Sequence, residues 1–210
     1  MASYYYLAAQ LPYLFYGQTP PMSSEAFKEL AKPLLSKRDS ALLDLVSLDP
    51  LRPTQNDTAM DDGTGKAPSY LSKAPSCGSD FIDRWREWER VLRLNLAKHR
   101  AAKLGRPGLE EIIPEEPVEA AMAAEKAIES AVSPHELEIQ LDKARWHAIE
   151  ELQGNDYFDH NTIFAYLLKL YILERRASFQ AEKGYAEYKS LYASILDSVQ
   201  SRALASGESI

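Results

Sequence analysis

The sequence predicts an all-α protein, either one multi-helix bundle or two helical lobes joined by a loop-rich linker. Three stretches carry that expectation. Between residues 163 and 173 every side chain is apolar or aromatic except Lys169. A helix that is apolar on nearly every side is one surrounded by protein, and this run is far shorter than the ~20 residues of a membrane span. Phe81, Trp85, Trp88, Leu92 and Leu96 recur at helical spacing and share one face. Ser133-Pro134-His135-Glu136 is a capping box with proline at the first helical position.

Taken in order, residues 4–16 (YYYLAAQLPYLFY) are strongly apolar. They read as a short helix ended by Pro12, or as an extended segment lying in a groove. Pro20 and Pro21 forbid helix before Ser23 and Ser24, either of which can cap a helix over 24–31, with Pro33 limiting it. A second helix is expected over 36–48, its apolar face made of Leu42, Leu45, Val46 and Leu48 and its end set by Asp49-Pro50. These segments form an N-terminal part, residues 1–50, expected to pack on the main bundle. Residues 51–79 are rich in Pro, Gly, Ser, Thr and Asp and predict a mobile, protease-sensitive linker. Its GTGK at 63–66 is not a phosphate loop, because Met60 stands where the first glycine belongs and Ala67 follows the lysine.

The main bundle, residues 80–210, opens with a long helix over 80–104. Helix is then expected over 116–131, with Pro117 in its first turn, and from Ser133 to about 152. The latter carries Leu137, Leu141, Ala144, Ala148 and Leu152 on one face. The turn at 154–159 leads into the central helix, capped by Asp159 or Asn161. Gly184 weakens or kinks the helix beyond it, and Tyr185, Tyr188, Tyr192, Ile195, Val199 and Ala203 form the stripe of a last helix. The twelve tyrosines are expected mostly as packing residues with the hydroxyl at a wet edge.

A formal net charge of -7 and a pI near 5.2 argue against nucleic acid as a partner. One cysteine, Cys77, makes no internal disulfide, and the first residues lack the positive start of a signal peptide. The chain therefore reads as cytoplasmic, without direct membrane insertion. No catalytic, cofactor-binding or metal-binding signature is present, and the chain reads as a non-enzyme. The pairs His147 with Glu150, and His160 with Asp156 and Asp159, have spacing that could hold a metal in a small helical metal protein. Surface and capping roles are the preferred reading. Arg84, Arg86, Arg90, Arg93, Arg100 and Lys103 lie opposite the tryptophan stripe. Of these, Arg84, Arg86, Arg93, Arg100 and Lys103 are the candidate basic face for an acidic partner surface.

Two blocks resemble one bacterial family of unknown function: residues 4–46 (YYYLAAQLPYLFYGQTPPMSSEAFKELAKPLLSKRDSALLDLV) and 154–184 (GNDYFDHNTIFAYLLKLYILERRASFQAEKG). The resemblance implies genes that sit among those of a V-type ATPase, and a layout remotely similar to its C-type stalk component, the d-type of eukaryotes. It implies an all-helical, non-catalytic central-stalk element between the rotor stalk and the membrane ring. Its partners would be other V-type ATPase subunits, its place the cytoplasmic side of the inner membrane through that complex, and its cofactors none. A free-standing helical adaptor shares the same fold and differs only in partner.

Overall fold

Short polar caps divide the chain into its helices. The computed structural model describes residues 4–50, 75–105, 117–179, 189–192 and 194; among them there are helices and no strand. The elements are α1 (Tyr5–Gln10), α2 (Ser24–Ala31), a 3-10 turn (Lys32–Leu34), α3 (Lys37–Leu43), α4 (Asp80–Lys103), α5 (Val118–Ser130), α6 (Pro134–Gln153) and α7 (His160–Ser178). Ser23 Oγ accepts the Ala26 N–H at 3.1 Å and Ser36 Oγ that of Asp39 at 3.1 Å. Ser133 Oγ accepts from Glu136 at 3.2 Å and Asp159 Oδ1 from Thr162 at 3.0 Å. Each bond satisfies one of the four N–H groups that a helix start leaves without an intrahelical partner. The capping box closes with Glu136 Oε2 accepting from the Val132 N–H, one residue before the cap.

α7 is the centre. Ile163, Phe164, Leu167, Leu168, Leu170 and Ile172 are fully buried. α6 covers one side and α2 another. α4 reaches α7 through Phe81, whose ring lies 6.2 Å from that of Phe164. α5 packs on both α4 and α6 through Ala120, Ala124 and Ala127, small residues that bring the backbones close. One continuous core runs from Tyr4 to Leu173.

Residues 4–50 belong to that core. The Tyr4 N–H donates to the Phe158 carbonyl at 2.7 Å, and the Ser24 N–H to Glu174 Oε1 at 2.6 Å. Tyr16 Oη donates to the Ile139 carbonyl at 3.1 Å. Of the two readings of residues 4–16 the short helix is found: α1 ends at Gln10, and the chain then runs without helix past Pro12.

Three expectations are corrected. α3 ends at Leu43 and not near 48, because the Ser47 and Leu48 carbonyls turn out of helix to accept from Trp85 Nε1 at 2.9 Å and Arg93 Nη2 at 3.3 Å. Leu45, released from the expected face, is largely exposed. Pro117 occupies the cap position of α5 with extended backbone, one residue before the helix. α4 is buried over more than one stripe: Ile82, Glu89, Val91 and Leu94 are inside along with Phe81, Trp85, Trp88 and Leu92. The reason is that α5 covers a second side of it.

The linker expected at 51–79 lies outside the described residues up to 74. Residues 75–79 are tied down: the Cys77 N–H donates to Asp83 Oδ1 at 2.9 Å, and Arg38 donates to the Gly78 carbonyl at 2.7 Å. Gly184 and most of the expected last stripe also lie outside the described residues; Tyr192 of that stripe is helical and exposed.

Candidate functional site

The α1 segment crosses the corner between α6 and α7 and leaves a groove beside it. Tyr4, Leu7 and Leu14 turn inward, while Tyr5, Tyr6, Tyr13 and Phe15 face outward. Tyr157 and Phe158, on the α6–α7 corner, are exposed opposite them. The rings meet in pairs: Tyr5 and Phe158 centroids are 4.7 Å apart, Tyr13 and Phe15 4.5 Å. Tyr13, Tyr157 and Phe158 wall a groove of about 380 Å³, and Tyr166 and Lys169 of α7 line it as well. The expectation that the tyrosines serve packing holds for Tyr4, Tyr16, Tyr166 and Tyr171, which join the core, and fails for Tyr5, Tyr6, Tyr13, Tyr157 and Tyr192, which are exposed.

Lys169, the one polar residue in the central run, both reaches the rim and pairs with an acid of a neighbouring helix. Its Nζ lies 3.3 Å from Glu150 Oε1 and 5.3 Å from the Trp146 ring centroid, with the side chain 14% exposed. Burial pushes its pKa down, and the Glu150 carboxylate opposes that shift. Lys169→Met keeps the packed stem and leaves Glu150 solvated and still accepting from Trp146 Nε1 at 2.9 Å. The expected loss is within about 1 kcal/mol, the scale of a rim ion pair and cation–π contact. Urea melts check it, and a loss of several kcal/mol would mean the pair is effectively buried.

Tyr166 ties the groove's two walls by donating from Oη to the Pro12 carbonyl at 3.0 Å. Burial pushes its pKa up to about 12. Because the folded value lies above the ordinary one near 10, the phenol's contribution is full below pH 10 and is lost as pH rises through about 12. A pH-jump titration read at the phenolate absorbance, before the chain unfolds, should show a late step that Tyr166→Phe removes. An unchanged profile would refute the assignment.

A charge network centred on buried Glu89 joins α4 to α6. Glu89 is fully buried and accepts from Arg145 Nε and Nη2, both at 3.0 Å, and from Arg93 Nε at 2.8 Å. Arg145 also donates to Asp142 Oδ1 at 3.2 Å, Arg93 to Asp49 at 2.5 Å, and Arg175 contacts Asp142. Three guanidinium groups balance three carboxylates. Burial works against the charge of Arg145, and the surrounding carboxylates, Glu89 foremost, together hold its pKa above the ordinary value.

That network takes one member of the expected basic face. Arg93 is an internal anchor, Arg84 pairs weakly with Asp80 at 3.7 Å, and Arg90 is bound to Glu87 at 2.7 Å. Arg86 is half-buried beside Cys77 and Asp83. Arg100 and Lys103 remain exposed at the C-terminal end of α4, where cations also suit the helix dipole.

The residues named for metal binding are engaged elsewhere. Exposed His147 pairs with Glu151 at 3.4 Å and not with Glu150. Asp156 accepts from the Phe158 N–H at 3.0 Å, Asp159 caps α7, and the His160 ring packs edge-on against Phe164. Among the described residues no group of three or more His, Cys, Asp or Glu could hold a metal ion. Burial pushes the Cys77 thiol pKa up, the opposite of what a nucleophile needs. No described helix is long and apolar enough to cross a membrane.

The chain belongs to the family described as protein of unknown function (DUF2764), whose model matches residues 54–199. The match takes in α4 to α7 and the groove's corner, and leaves α1 to α3 outside it. No curated protein and no solved structure matches the chain.

Proposed function

We propose that this protein is a non-catalytic subunit or accessory protein of a bacterial V-type ATPase, an element like the C-type (d-type) stalk component that works by binding other proteins between the rotor stalk and the membrane ring. The observation in favour of binding is the aromatic face around the groove. Two ring pairs, Tyr5 with Phe158 and Tyr13 with Phe15, stay exposed there, and Tyr and Phe are the residues that contact surfaces favour. The choice of the ATPase rests on the resemblance of residues 4–46 and 154–184. Arg100 and Lys103 offer a second, basic contact for an acidic partner.

The test is isolation of the ATPase from the native membrane, with its subunits identified and counted. The chain is expected at near-stoichiometric level. Its absence from an otherwise complete complex would overturn the ATPase assignment and leave a helical adaptor with another partner.

A further inference from the structure

We propose that the aromatic face around the α1 groove is where two copies of this chain meet. The inference rests on reading that face as protein-binding and adds the identity of the occupant. Three observations select a second copy.

The first is area. An aromatic side chain carries roughly 150–250 Å², so the six outward residues Tyr5, Tyr6, Tyr13, Phe15, Tyr157 and Phe158, 39–76% exposed, leave on the order of 700 Å² uncovered. A specific pair buries about 800 Å² on each partner, so one such face is close to a full half-interface.

The second is shape. An interface between identical copies across a twofold axis must present both the projection and the recess on one patch. Here Tyr6 and Tyr13, the two most exposed of the six, stand in the segment that borders the groove. The phenol is both donor and acceptor, so tyrosine is complementary to itself across the axis.

The third is charge. The chain carries a net charge of -7, which opposes self-association over most of its surface. The groove is the exception: Lys169 and Glu150 neutralise each other within it, and Asp156 at its corner accepts from the Phe158 N–H. The groove lining itself therefore adds no unpaired like charge, and the exposed Asp156 carboxylate at its corner is the charge that each copy brings near the other.

The experiment measures mass in solution by light scattering on a sizing column, at about 100 µM, where interfaces of this area are occupied. The full chain is expected at twice the 23.6 kDa of one copy. Tyr13→Lys/Tyr157→Lys is expected to weaken the pair on the order of 100-fold, since truncated central anchors cost this much, with wild-type circular dichroism. Tyr6→Lys, largely exposed on α1, gives an independent weakening should the double variant misfold. Arg100→Glu/Lys103→Glu is expected to leave the pair intact. A wild-type chain at single-copy mass overturns the inference, as does a pair that survives both tyrosine variants. Counting the tyrosine variants in the isolated ATPase separates the two readings. Loss from the complex with a monomeric wild type means that the face serves a different protein, while the binding reading stands.

Discussion

Glu89→Ala is expected to destabilise the fold by about 4 kcal/mol, a large part of the 5–15 kcal/mol that holds a domain folded. The carboxylate is fully buried and accepts three bonds from two guanidinium groups. Without it Arg93 keeps Asp49 and the Leu48 carbonyl near the surface, but Arg145 keeps only Asp142. Asp142 is shared with Arg175, so a buried cation would be left under-compensated. The penalty is therefore mostly that of stranding Arg145, and removing the stranded charge should recover most of it. Glu89→Leu/Arg145→Met fills the same space with apolar atoms while Asp142 keeps Arg175 and Arg93 keeps Asp49. Such replacements of buried pairs are often close to neutral. The double variant is thus expected to be more stable than Glu89→Leu alone, with non-additivity of a few kcal/mol in urea melts of Glu89→Leu, Arg145→Met and the pair. A single variant within about 1 kcal/mol of wild type would show that water reaches Arg145.

This network leaves a signal in the sequence that composition and motif spacing do not bring out. Glu89 stands four residues after Trp85 and three before Leu92, on the same stripe as both. Arg145 stands four after Leu141 and four before Ile149. A charge on an apolar stripe needs a buried partner of the opposite sign, and two such charges on two helices point to each other. The central helix and the serine caps are readable because each signal is local: an uninterrupted apolar run, or a hydroxyl three residues before the N–H it accepts from. The end of α3 is not, because it is set by Trp85 and Arg93, about forty residues away in the chain. The expected basic face fails at Arg93 for the same reason, since helical spacing places a side chain on a face without saying what covers that face. The aromatic groove is hidden differently. YYYLAAQLPYLFY is apolar nearly throughout, and composition alone cannot tell that Tyr4, Leu7 and Leu14 go in while Tyr5, Tyr6, Tyr13 and Phe15 stay out. That division depends on where Tyr4 pairs with Phe158 and where Tyr166 holds Pro12.

Leu167→Asp is expected to unfold the protein outright. Leu167 is fully buried on α7, and so are Ile163, Phe164, Leu168 and Leu170 around it. α6 and α2 press on the helix, with the Phe27 ring 5.0 Å from that of Tyr166, one residue before Leu167. Lys169, two residues on, lies on a different side of the helix and already pairs with Glu150. An aspartate there must either stay charged in an apolar site or take up a proton, and both are costly. Lost packing adds to this, since Leu→Ala in a core alone costs about 2–5 kcal/mol. The sum matches or exceeds the stability of a domain of this size. Leu167→Ala should therefore stay folded with a lowered urea midpoint, and Leu167→Met should lose less than about 1.5 kcal/mol. Far-ultraviolet circular dichroism and proton NMR dispersion read the outcome directly. A Leu167→Asp chain that keeps wild-type helicity and dispersed signals would mean that this side of α7 opens to solvent, and the central helix would then be a docking element and not the core.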